Sequence, residues 1–128
     1  MNGPGTMKTA VVLDANALLM PFQFGINLDA ELRRLVGECE MLVPSSVLEE
    51  LDNAKPADLA RAAKALASRC RVVAVDEKGD EAVIATALRK KAMVVTNDRA
   101  LIGELKKRRV PVICLRSRSH LVLIGNYL

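Results

Sequence analysis

The chain has 128 residues and almost no aromatic side chains. Phe22, Phe24 and Tyr127 are all it carries, and tryptophan is missing. Modules that grip single strands by stacking bases on aromatic platforms are therefore nearly excluded. Histidine occurs once, as His120, and Cys39, Cys70 and Cys114 stand far apart with no Cys-x-x-Cys spacing. That inventory argues against zinc, which needs about four nitrogen or sulfur ligands. The scattered cysteines read as reduced, packed thiols of a cytoplasmic protein. Long apolar runs are lacking too. Thr9-Ala10-Val11-Val12-Leu13 is cut off by Asp14, too early for a signal-peptide core or a membrane span, so no membrane partner is expected.

What is present suits one folded unit. Half the residues are apolar (51%), and a chain of this length buries roughly two-thirds of its unfolded surface. Met1 to Thr6 is rich in Gly and Pro and reads as a flexible extension, leaving residues 7–128 as a single domain. Net charge is +4, unevenly placed: residues 1–64 carry 6 Lys/Arg against 9 Asp/Glu, and residues 65–128 carry 13 against 6. A solvated basic surface explains this as well as a polyanionic partner does.

Short apolar runs alternate with helical periodicity. Val11–Leu13, Met41–Val43, Arg71–Val75, Met93–Val95 and Val112–Leu115 read as strands. Leu28, Leu32, Leu35 and Val36 mark a helix that Gly37 can end. Ser46-Val47-Leu48-Glu49 fits a capping box opening a second helix. Further helices are expected around Leu59–Leu66, from about Asp80 to Lys91, and up to about Arg109. The tail from Ser119 is an extra strand or an edge cover. Leu18 to Phe24 is an apolar run whose default role is packing over the core. Strands separated by helices predict an α/β fold, a three-layer α/β/α sandwich around a mainly parallel sheet of about five strands. In such sheets ligands bind at the carboxyl ends of the strands.

Four carboxylates fall near that edge. Asp14 directly follows the first strand, and Asp98 follows the fourth. Helix capping accounts for either one singly. Asp80, about 40° from Ile84 and 60° from Val83 around its helix, is expected on the core-facing stripe, where a carboxylate must be paired, capping or metal-bound. Of the neighbours Glu49 and Glu50, Glu49 points to solvent and completes the capping box, while Glu50 borders the buried face. Four crowded carboxylates repel unless a cation intervenes, and an oxygen-only donor set suits Mg²⁺ or Mn²⁺. Such a cation is what phosphodiester hydrolysis needs.

Asp14-Ala15-Asn16, Val47–Leu51, Asp80–Leu88 and Val94-Val95-Thr96-Asn97-Asp98, in this order, resemble the motifs of PIN-domain nucleases, and the resemblance runs from about Lys8 to Leu115. It implies a Mg²⁺- or Mn²⁺-dependent endoribonuclease with Asp14, Glu50, Asp80 and Asp98 as its acidic metal cluster. Asn16 and Thr96 match supporting polar positions, and Asn97 stands where some relatives carry another acid. Two settings are implied. The segments Leu18–Phe24 and Val112–Gly125 are more similar to single-domain pre-rRNA-processing members, related to the small-subunit processome endonuclease. The alternative is the toxin of a toxin–antitoxin pair. Partners implied are RNA, a second copy of the chain, and an antitoxin or ribosome-assembly factors.

Basic residues divide by position. Arg99, Arg116 and Arg118 fall near the carboxyl edge and are the candidates for RNA backbone contacts. Arg89-Lys90-Lys91 and Lys106–Arg109 end two helices and belong at the opposite edge, away from the scissile phosphate, where stabilising helix termini is the plain reading and an RNA contact the alternative. Two other classes compete: a non-catalytic RNA-binding module on the same fold, and a receiver-like signalling domain. The latter wants an acidic pair after the first strand, whereas Asp14 stands alone there.

Overall fold

Val11, Val12 and Leu13 are wholly shut off from solvent. An uninterrupted apolar strand of this kind belongs in the middle of a parallel sheet covered on both faces. The computed structural model, which describes residues 9–125, places it there. β1 (Thr9–Leu13) pairs in parallel with β2 (Cys39–Pro44) on one side and with β4 (Met93–Val95) on the other. β3 (Arg71–Val73) extends the sheet beyond β2, and β5 (Val112–Arg116) extends it beyond β4. The last strand, β6 (His120–Ile124), pairs antiparallel with β5. The order is β3-β2-β1-β4-β5-β6, so the tail is an extra strand. The extension expected over residues 1–6 lies outside the described residues.

Six helices connect the strands: α1 (Ala15–Phe24), α2 (Leu28–Val36), α3 (Ser45–Asp52), α4 (Ala57–Ala67), α5 (Gly79–Lys90) and α6 (Arg99–Lys107). α1, α3, α4 and α5 pack against one another as a helical layer, while α2 lies against β2 and β6, and α6 against β5. The result is the expected α/β/α sandwich with a mainly parallel sheet. Among the described residues no helix is long and apolar enough to cross a membrane, and Cys39, Cys70 and Cys114 form no disulfide.

The apolar run after Asp14 forms a helix, which its sequence did not announce because Pro21 lies inside it. Leu18 and Met20 are fully buried, but Phe22 and Phe24 are 42% and 37% exposed, so the two aromatics do not pack over the core as expected. Gly25, at φ 67°, ends the helix in the left-handed conformation that glycine takes at least cost.

Parallel pairing has one consequence for function. Chain direction reverses from leftward to rightward growth at β1, between β2 and β4. A crevice opens beyond the carboxyl ends of the strands at such a switch point.

Candidate active site

Asp14 sits at the switch point and is only 7% exposed. Its Oδ1 accepts from the Ala17 amide at 2.8 Å, capping α1. Its Oδ2 accepts from the Thr96 hydroxyl. Capping therefore takes one side of the carboxylate and leaves the residue at the rim of the sheet. Thr96 is fully buried, and the same hydroxyl accepts from the Asp98 amide at 3.1 Å. One threonine thus joins the first residue beyond β1 to the loop beyond β4. Asp98 caps α6 through Oδ1, accepting from the Ala100 and Leu101 amides at 2.9 and 3.1 Å.

Glu50 and Asp80 enter from the helices. Glu50 lies on α3, which follows β2, and Asp80 in the first turn of α5, which follows β3. Both are exposed, and neither side chain makes a hydrogen bond among the described residues. Asp80 is not on the buried face of α5, as its spacing from Ile84 had suggested. The buried residues are Ala82, Val83, Thr86 and Ala87, which centres the packed face about 90° from Asp80. Asp80 is not the helix cap either: the N-cap is Lys78, without a side-chain bond.

The four carboxylates feel one another. Burial is the main cause that pushes Asp14 up to about 6, with Asp98 and Glu50 adding repulsion against the Thr96 and Ala17 hydrogen bonds. Loss of water contact raises Glu50, and Asp80 raises it further. Desolvation and then Asp98 raise Asp80. Each shift opposes ionisation, as expected where like charges gather without a counterion. Among the described residues no three acidic, thiol or imidazole groups are drawn together tightly enough to hold a metal ion as they stand. Nevertheless the donors fit a hard divalent cation. They are all oxygen, they share one edge, and the two on helices have side chains free to swing inward.

The remaining expected residues divide. Asn97 is turned away, its Oδ1 accepting from the Leu115 amide at 2.8 Å and fastening the β4–α6 loop to β5. Asn16 is exposed in the first turn of α1, and Arg99 is exposed at the start of α6. Arg116 ends β5, and Arg118 lies in the β5–β6 turn, both exposed at the carboxyl edge.

The expected capping box does not form. α3 begins at Ser45 behind Pro44, with no side-chain cap. Ser45 instead binds the backbone of Val75, accepting from its amide at 3.1 Å. Ser46 is buried with its hydroxyl unpartnered. Glu49 pairs with Lys78 at 2.8 Å, linking α3 to the start of α5, the two helices that carry Glu50 and Asp80. Lys78 was not a candidate in the sequence, because nothing local marks a contact 29 residues away.

Residues 11–118 match the family described as PIN-like domain. Among solved structures the chain is similar to the PIN domain endonuclease Utp24, at 20% identity over 91% of each chain with a TM-score of 0.74. It is also similar to a domain of a functionally unknown protein from Methanocaldococcus jannaschii DSM 2661, at 16% identity over 85% of this chain and 92% of that one, TM-score 0.60. No curated protein matches significantly in sequence.

Proposed function

The chain belongs to the PIN-like domain family, and from that premise we propose that it is an endoribonuclease that uses Mg²⁺ or Mn²⁺ held by Asp14, Glu50, Asp80 and Asp98. The observation that carries this reading is the electrostatic strain at the carboxyl edge. Asp14, Glu50 and Asp80 are all raised in pKa, each partly by another member of the group. A divalent cation bound there would lower the pKa of a water molecule and offset charge on the attacked phosphate.

The chain's own residues supply the positioning. Capping and the Thr96 bond fix the Asp14 carboxylate while leaving each oxygen a lone pair to offer. Asp98 has Oδ1 committed to amides and Oδ2 unengaged by hydrogen bonds. Thr96 keeps these two acids in register across the β1–β4 seam. Glu50 and Asp80 would complete the donor set from α3 and α5. Arg99, at the start of α6, and Arg116 and Arg118, at the end of β5 and in the turn after it, would hold the flanking phosphates. Asn16 is a further polar group at this rim, and Asn97 supports the loop rather than the reaction.

The biological setting we favour is pre-rRNA processing, on the similarity of Leu18–Phe24 and Val112–Gly125 to members with that role. The decisive experiment is cleavage of end-labelled RNA. Wild-type protein with Mn²⁺ is expected to cut, EDTA to abolish cutting, and Asp14→Asn to fall to background. Intact RNA under all three conditions would sink the reading. Sequencing the cut ends then separates rRNA precursors from the tRNA or mRNA targets of a toxin.

A further inference from the structure

The edge opposite the carboxylates carries a feature that the nuclease reading leaves unexplained. α5 and α6 both run toward the amino edge, and a hollow of about 310 Å³ opens between their ends. Its walls are apolar at Leu88, Met93 and Pro111 and cationic at Lys91, Arg108 and Arg109. Leu88 is 50% exposed and stands among the basic residues of these two helix ends. Seven cations (Arg89, Lys90, Lys91 and Lys106 to Arg109) crowd the two helix ends.

Helix-dipole stabilisation accounts for cations in the last turn of each helix. It extends to Lys91, the C-cap of α5, and to Arg109, one residue past the C-cap of α6, but there it comes at a backbone cost. Both adopt left-handed backbone, at φ 53° and 57°, where glycine is the default residue after a helix. Two long cations occupy positions that backbone geometry would give to glycine. Nor are the charges all consumed locally. Glu77 pairs with Arg89, and Glu104 with Lys107 and Arg108, while Lys90, Lys91 and Lys106 have no ion pair among the described residues.

We propose that this hollow docks an acidic protein segment, with an apolar side chain of the partner seated on Leu88, Met93 and Pro111 and its carboxylates met by the cationic rim. An apolar floor ringed by one sign of charge is complementary to such a segment. A phosphate backbone could use the cationic rim but has no aliphatic group to seat on Leu88, Met93 and Pro111, whereas an acidic segment carrying an apolar side chain uses both floor and rim. The position also keeps the partner clear of the catalytic edge, so docking and cleavage are separable.

Fluorescence anisotropy tests this with a labelled peptide of glutamates interrupted by leucines, the same peptide with serines for leucines, and labelled oligouridylate. The leucine peptide is expected to bind wild type most tightly. Leu88→Asp and Lys91→Glu should each weaken it roughly tenfold or more, with RNA cleavage unchanged. Lys91→Gly guards against misfolding as the explanation: it relieves the left-handed strain, so its Tm should not fall, yet peptide affinity should. Equal binding of the serine peptide would overturn the proposal. So would affinity for the peptide that none of the three substitutions alters, or a loss confined to oligouridylate, which would make the edge a nucleic-acid surface.

Discussion

Asp14 serves two ends at once. It caps α1 through one oxygen, and it holds a negative charge where the fold excludes water. The second role is costly in the cation-free protein. Its carboxyl titrates at 3.8 in an unfolded reference and at about 6 in the fold. A folded value above the unfolded one means the proton favours folding. The resulting stability is complete below 3.8 and is lost as pH rises through about 6. The shift corresponds to about 3 kcal/mol when integrated across that window. Ion-paired carboxylates such as Glu31 and Glu104 have lowered pKa values and push the other way, so wild type must be compared with Asp14→Asn, in which they cancel. In EDTA, chemical denaturation should show wild type losing stability relative to Asp14→Asn between pH 4 and 7, by up to about 3 kcal/mol. Adding Mn²⁺ should reverse the loss in wild type alone. A pH-independent difference would remove the buried-charge account. Thr96→Val extends the test. The Thr96 hydroxyl lowers Asp14, so its removal should move the acid limb of the activity profile to higher pH and destabilise the fold by about 1–3 kcal/mol through the unsatisfied partners.

At the level of elements, periodicity and apolar runs were enough to place five strands, because β1, β2 and β4 carry their burial in contiguous Val and Leu. What stayed hidden was decided by partners distant in the chain. Pro21 disguised α1, whose helical state rests on the Asp14 cap and on burial of Leu18 and Met20. Asp80 was assigned to the wrong face because Ala82 and Thr86, which carry little hydrophobic weight in a sequence, are buried against the fold, while Leu88, which carries much, is half exposed. Asp14 and Asp98 were legible, since each directly follows a strand, whereas the threonine bridge between them spans 82 residues. The pair Glu31 and Arg34 looks in sequence like an ordinary i,i+3 surface pair. In the fold, Glu31 accepts from the Leu121 amide at 2.8 Å and Arg34 donates to the Leu121 carbonyl at 2.7 Å. α2 thus satisfies the outer backbone of an edge strand that would otherwise be open to pairing with another chain. Glu31→Ala should speed hydrogen exchange at the Leu121 amide severalfold while leaving Val94, in the sheet centre, unchanged. Uniform acceleration at both amides would mean a global loss of stability instead.

Across the whole molecule, charge is sorted by edge rather than by half of the chain. The acidic first half and basic second half interleave in one sheet, and the carboxylates gather at one edge from both. The net +4 suggested a polyanion only weakly, and the acids that oppose it locate the proposed chemistry. In the proposed function a substrate would meet the carboxylates together with Arg99, Arg116 and Arg118, none of them an aromatic that could hold a base. Affinity should therefore rest on backbone phosphates and be indifferent to sequence. For single strands, log K falls with log salt by roughly 0.7 per phosphate neutralised. Measured with Asp14→Asn protein to prevent cutting, the double substitution Arg116→Ala and Arg118→Ala should flatten this slope by roughly 1.4 if each arginine meets one phosphate. Homopolymers of U and A should give the same change. An unaltered slope would place the RNA track elsewhere, and a change seen with one homopolymer alone would mean that bases, rather than backbone, are being read.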